Sequence, residues 1–192
     1  MRFKYVMAIL NALYGLNAFA ASEQVLFTLE KNHNPENKVI VHTQTDPDCR
    51  FVVNPRNAEK NYVDFYWSLN NGRETKELHP LIRSEIKNRV AFLGVNERFD
   101  SFKVRLSDLS ELNHDLPPSP IEVISEFSQG VCRVKSVLTL GGTSRYRKID
   151  LKRTYCEVSK NFIGIPNGCS ALHLEGKDIA TGEPVRVKFL KK

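Results

Sequence analysis

The sequence predicts a mainly β fold, a single antiparallel, sandwich-like domain with one packed amphipathic helix. Three observations carry that expectation. Short runs alternate between two faces with a period of two, as in Val63–Leu69 and Phe102–Leu106. Turn residues punctuate them at short intervals, in NHNPEN, NNG, GG, IPNG and GKDIATGE. Only one stretch, after Asn71-Gly72, spaces its apolar residues as a helix does.

The chain opens with Arg2 and Lys4 ahead of an apolar stretch, Val6–Phe19, and an A-x-A site at Ala18-Phe19-Ala20. This pattern predicts a secretory signal peptide over residues 1–20 and one β-rich domain over 21–192. Asn11 and Asn17 interrupt the stretch, which is short for a membrane anchor. The expected location is the periplasm or the extracellular medium.

Gln24–Lys31 reads as a first strand with Val25, Phe27 and Leu29 on one face. Asn32–Asn37 is a turn by composition. Lys38–Thr45 follows as a second strand, Val39, Val41 and Thr43 alternating against Ile40 and His42, paired antiparallel with the first. A loop then runs from Thr45 to Lys60, and its FVVN segment adds a short strand. Tyr62–Leu69, with the only tryptophan, places Val63, Phe65, Trp67 and Leu69 on one face. Burying side chains of this kind stabilises by about 1.5–3 kcal/mol each, so the strand is expected to anchor the core. Its other face, Tyr62, Asp64 and Tyr66, is where a binding surface on this strand is expected.

Asn71-Gly72 supplies a turn. Leu78, Ile82, Ile86, Val90 and Leu93 recur at helical spacing, with Pro80 suited to a first turn, so a helix is expected over Leu78–Leu93. Phe99–Leu106 alternates again. After a loop at Asn113–Pro120, Ile121–Phe127 and Val131–Leu140 read as strands. Gly141-Gly142 is expected to turn the chain into a strand over Arg145–Val158, and Ile165–Gly168 to turn it once more. Ser170–Glu175 is expected to pair with Pro184–Leu190.

Four cysteines, Cys49, Cys132, Cys156 and Cys169, lie outside the leader. An even number in an exported chain favours disulfides, and four cysteines allow three connectivities. Cys156 and Cys169 flank a short turn-rich segment and are placed to close it, a loop worth about 3 kcal/mol. That pairing leaves Cys49 to Cys132. No C-x-x-C is present, which argues against a redox or zinc motif.

Several stretches also resemble a known family. The run VDFYWSLNNGRETKELHPLIRSEIKNRVAFLGV, the opening LFTLEKNHNPENKVIVH and the closing IPNGCSALHLEGKDIATGEPVRVKF resemble the bacterial domain-of-unknown-function family 4833. The resemblance spans most of the chain beyond the leader and is weakest over Asn96–Thr143. The cysteines are not part of the family pattern. The resemblance implies a small exported β-rich domain, and it implies no activity, ligand or catalytic residue.

Removing Arg2 and Lys4 lowers the formal charge from +6 to +4. A balance this modest does not call for nucleic acid, and export argues against it. Arg145, Arg147 and Lys148 precede a run ending Lys152-Arg153, while Arg186 and Lys188 share one face of the closing strand. If those strands are neighbours, Arg145, Arg147, Lys148, Arg186 and Lys188 form a candidate site for carboxylate or phosphate groups. The competing reading is a solvated sheet face whose charges discourage edge pairing. The five histidines, His33, His42, His79, His114 and His173, show no local metal spacing, and no nucleophile motif or phosphate loop occurs. No metal, cofactor or stable membrane insertion is therefore expected. The function expected is non-enzymatic binding of a protein or an anionic envelope component. The alternative is a hydrolase or other enzyme with a site assembled from distant residues, such as His79 or His114 with nearby acids. The feature that distinguishes the alternative is a pocket with convergent polar groups and a perturbed histidine.

Overall fold

The computed structural model describes residues 21–31, 34–54, 61–107, 120–141, 146–160 and 166–190. The expected leader, the loop at 113–119, the Gly142 turn position and Arg145 lie outside the described residues. Twelve strands and one helix are described. They are β1 (Ser22–Lys31), β2 (Lys38–Thr45), β3 (Phe51–Val52), β4 (Asp64–Leu69), β5 (Glu74–Glu77), α1 (Pro80–Arg89), β6 (Val90–Val95), β7 (Ser101–Leu106), β8 (Ile121–Ser128), β9 (Val131–Gly141), β10 (Tyr146–Lys160), β11 (Pro166–Asp178) and β12 (Pro184–Leu190). The domain is mainly β, as the alternation predicts.

The strands form one hydrogen-bonded path, β5-β4-β2-β1-β10-β9-β8-β7-β6, with β11 and β12 added beyond β10 and β3 beside β2. β10 is the hinge of this arrangement. Its first residues pair with β9, Tyr146 opposite Gly141 and Asp150 opposite Val137. Further along, the same strand pairs with β1, Arg153 opposite Thr28 and Cys156 opposite Lys31. That second pairing is parallel, a feature that turn signals do not encode. At the change of partner, the Asp150 carboxylate accepts from the Ser136 backbone N–H at 3.0 Å, and the Ser136 hydroxyl donates to the Leu26 carbonyl at 3.3 Å. These two bonds tie Ser136 of β9 to both β10 and β1 where the partner changes.

A bulge between Leu151 and Arg153 changes the inward parity of β10. Before it, Ile149 and Leu151 face the core; after it, Thr154 and Cys156 do. Gly176 lies opposite Leu151, and a Cβ built on it falls 2.3 Å from the Asp150 carbonyl oxygen. Only glycine fits that approach.

The core joins Leu26, Phe27 and Leu29 of β1 to Val39 and Val41 of β2, Phe65 of β4, Phe102 and Val104 of β7, and Leu172 and Leu174 of β11. Two expectations change. In β1 a register shift between Val25 and Phe27 buries Leu26 beside Phe27 and leaves Val25 half exposed, so Val25 does not share the face of Phe27 and Leu29. The helix is shorter than Leu78–Leu93. It begins at Pro80, capped by His79, and stops at Arg89. Val90 opens β6, opposite Leu106 of β7, because VAFLGV is rich in β-branched and aromatic residues that suit a strand. Of the helically spaced residues, Leu78, Ile86 and Val90 are buried, whereas Leu93 is 44% exposed on a strand. A further strand, β5, occupies the hairpin arm beyond the left-handed Asn70, Asn71 and Gly72.

Both expected cysteine pairs are formed, Cys49–Cys132 with Cα atoms 5.3 Å apart and Cys156–Cys169 at 5.6 Å. Among the described residues no helix is long and apolar enough to cross a membrane.

Candidate functional site

The structure divides the expected basic site. β11 separates β10 from β12, so Arg186 and Lys188 stand opposite Glu175 and His173 rather than beside Arg147. Glu175 in turn stands opposite Arg153. Arg147 is six residues before Arg153, about 20 Å along an extended strand. Each of these cations except Lys148 meets a carboxylate. Arg147 Nε is 2.6 Å from Asp178, Arg186 Nε is 3.2 Å from Glu175, and Lys188 Nζ reaches both Glu157 oxygens at 3.0 and 3.1 Å. Lys148 is exposed, and its carbonyl accepts from Ile179. Arg145 lies outside the described residues.

The outer face of β10, β11 and β12 is instead a ladder of matched charges. Arg153 bridges Glu30 of β1 and Glu175 of β11, and its guanidinium lies 5.1 Å from the centre of the Tyr155 ring. Tyr155 and His173 stack with centroids 4.2 Å apart and planes 8° apart. His173 Nε2 lies 2.6 Å from Glu157. Hydrogen bonds from Lys188 and His173 hold the Glu157 carboxyl below its ordinary pKa, and Arg147 with the Thr181 backbone N–H does the same for Asp178. Burial opposes the charge of Arg153, but Glu30 and Glu175 outweigh it and raise its pKa.

A different constellation forms where β1, β2, β4 and β5 meet the start of α1. Register sets it. His42 of β2 stands opposite Asp64 of β4, Glu23 of β1 opposite Gln44 of β2, and Tyr66 of β4 opposite Glu77 of β5. Together with Arg83 from α1 and Asn54 after β3, these residues line a cleft of about 370 Å³. Asp64 is buried and fully engaged. It accepts from Asn54 Nδ2 at 2.9 Å, from the Phe65 N–H at 2.8 Å and from the Arg83 guanidinium. Tyr66 donates to Glu23 at 2.8 Å; burial first, then that carboxylate, pushes its hydroxyl up to about 12.

His42 is the exception. It is 7% exposed, and its Nδ1 is buried without a hydrogen-bond partner, the nearest carboxylate oxygen of Glu23 lying 3.9 Å away. Its ring meets Tyr66 edge-on, with centroids 5.0 Å apart. Burial lowers its pKa; Glu23 and Asp64 act in the opposite direction, and Arg83 adds to the lowering.

Asp64 and Tyr66 thus come together on the expected face of the aromatic strand, but Tyr62 does not join them. Tyr62 precedes the strand and stacks on Phe92 at 5.6 Å, within the aromatic cluster of Phe51 and Phe102. His79 is also not part of the cleft. Its Nδ1 accepts from Leu81 N as a helix cap, and it lines a separate groove with Trp67, Leu69 and Ile82. His114 lies outside the described residues. Glu23, His42 and Arg83 are among the cleft residues that sequence reasoning passed over. An aspartate amid DFYWSL was a usable signal, because a carboxylate on a buried strand requires partners. Among the described residues no group of three or more His, Cys, Asp or Glu side chains is arranged to hold a metal.

No family model matches the chain, and neither a curated protein nor a solved structure does. The resemblance to family 4833 rests on the quoted residues.

Proposed function

We propose that the chain is an exported, non-enzymatic binding domain whose ligand is a small polar molecule held in the β1–β2–β4–β5 cleft. One observation carries the reading. His42 is buried at the cleft with an unsatisfied Nδ1, a destabilising arrangement of the kind found where a site is kept for something other than stability. Leaving a buried polar atom unpaired costs about 1–3 kcal/mol. The leader-like residues 1–20 and the two disulfides support export. The ion pairs of Arg147, Arg186 and Lys188 favour the cleft over the basic sheet face as the place of binding.

The test is retention of a low-mass component of an envelope extract, read by native mass spectrometry. Wild-type protein is expected to retain a ligand that Gln44→Trp, which fills the cleft rim, does not. Arg147→Glu with Lys188→Glu is expected to leave retention unchanged. Equal retention by the cleft-filled variant, or none by wild type, overturns the reading.

The perturbed His42 between Glu23 and Asp64 favours a second reading, an enzyme using the imidazole as a general base. Weighing against it, the cleft lining contains no cysteine or serine among the described residues. Turnover of ester or amide substrates that is lost in His42→Gln decides for that reading.

A further inference from the structure

We propose that the cleft recognises a primary ammonium group, seated between His42 Nδ1 and the Glu23 carboxylate beside the Tyr66 ring. The inference rests on the cleft reading and names its ligand class.

The charges support it. Asp64 is spent on Arg83, Asn54 and the Phe65 N–H. Glu23 gives one oxygen to the Tyr66 hydroxyl and leaves the other without a hydrogen bond. Glu77, opposite Tyr66, makes no side-chain hydrogen bond or ion pair among the described residues. Two carboxylates therefore flank one aromatic ring, an arrangement that attracts a cation both by charge and through the ring face. Lys76 is the opposing charge at the rim. It stands opposite Trp67 on β4, whereas Glu77 stands opposite Tyr66, so its side chain starts from the other face of the sheet.

The geometry fits one nitrogen. His42 Nδ1 and Glu23 Oε2 are 3.9 Å apart, too far to bond each other. A single ammonium nitrogen can lie about 2.8 Å from both, the usual length of a charge-assisted bond. It donates one N–H to the imidazole lone pair and one to the carboxylate. The Glu23 side chain is 46% exposed, so it can release the Tyr66 hydroxyl and swing out to admit the ammonium to Nδ1. Burial, the largest influence on the ring, disfavours its protonation and so favours the form that keeps the lone pair. Protonated His42 repels the ammonium and takes Glu23 for itself, so binding falls with pH. The charged or titratable groups lining this position are Glu23 from β1, Asp64 and Tyr66 from β4, Lys76 and Glu77 from β5, and Arg83 from α1.

The experiment is NMR titration of the folded, disulfide-bonded protein, following the His42 ring and Tyr66 ring signals. The probes are cadaverine, a blocked Ala-Lys-Ala peptide, glutarate and pentane-1,5-diol. Cadaverine or the peptide is expected to shift both rings saturably at pH 7.5. Stronger binding of cadaverine points to a free amine, and stronger binding of the peptide to a lysine side chain on a partner. Glu23→Gln is expected to weaken binding at least tenfold, Lys76→Met to strengthen it, and a drop to pH 5 to weaken it. Saturable binding of glutarate or the diol in place of the amines overturns the ammonium assignment while leaving the cleft reading in force. No shift with any probe, or undiminished amine binding by Glu23→Gln, also overturns it.

Discussion

Two regions of one sheet face in this protein set a histidine among carboxylates beside a tyrosine, and their bonding differs throughout. In the β10–β11–β12 region, His173 stacks flat on Tyr155 and lies 2.6 Å from Glu157, which Lys188 also holds. In the β1–β2–β4 region, His42 meets Tyr66 edge-on, and the Glu23 oxygen nearest its Nδ1 is 3.9 Å away. The same residue types serve a closed ladder in one place and an open cleft in the other. What separates them is neighbours. Charged strands run on both sides of His173, whereas Asp64, the carboxylate opposite His42, is drawn away by a helix and a loop.

The largest effects come from the staples that tie each region. Cys49→Ser with Cys132→Ser opens a crosslink spanning 83 residues, and Cys156→Ser with Cys169→Ser one spanning 13. Chain entropy sets their losses at about 4.5 and about 3 kcal/mol. Urea unfolding of the two double variants should rank them in that order. Equal losses would mean that the unfolded chain is already compact around one pair.

Next come the buried ion pairs. Arg153→Ala leaves Glu30, 2% exposed at its side chain, without its cation and should cost about 3 kcal/mol. Arg83→Ala should cost less, about 2 kcal/mol, because Asp64 keeps Asn54 and the Phe65 N–H. A reversed order in equilibrium unfolding would show that the cleft, not the ladder, is the more tightly held network.

The histidines themselves give the sharpest contrast. His173→Leu gives up a charge-assisted hydrogen bond and a stacked ring, at about 1.5 kcal/mol. His42→Leu removes a buried polar atom that has no partner, so stability should stay level or rise while ligand retention is lost. Thermal unfolding of both variants beside wild type checks this. A large loss in His42→Leu would place His42 among the structural residues and remove the main support for the cleft.

Much of this frame is legible in the sequence, for physical reasons that also mark where it stops. Alternation placed Phe102, Val104 and Leu106 inward and Lys103 and Arg105 outward, as found, because a pleat has a strict period of two. It failed in β1, where a single bulged residue reverses the faces of everything after it. The helix was overextended because Leu78, Ile86 and Val90 bury from a connecting segment, a helix and a strand at spacings that mimic one element. Both disulfides followed from counting and loop length. The basic site did not survive intact because faces can be read from a strand, whereas the order of strands cannot. β11 lies between β10 and β12 and supplies Glu175, which meets the arginines of both flanking strands. The cleft depends on the same hidden information, since His42, Asp64 and Glu23 are brought together only by register.

The smallest expected effect separates the two regions by pH. A histidine in the unfolded chain titrates near 6.5. Burial holds His42 below that value in the folded protein, against the pull of Glu23 and Asp64 and with Arg83 assisting. As pH falls through about 6.5, the unfolded state therefore takes up a proton that the folded state resists, and stability drops. Glu157 and Asp178 have lowered pKa values, so their contribution is full above the ordinary carboxylate range and is lost only as pH falls through it, below about pH 4.5. Acid should thus loosen the cleft first and the ladder later. Between pH 7.5 and 5.5 wild type should lose more stability than His42→Leu in urea titrations, with the other histidines common to both. Parallel curves for the two proteins over that interval would mean that His42 protonates as readily folded as unfolded, and the distinction between the two regions would then lie in geometry alone.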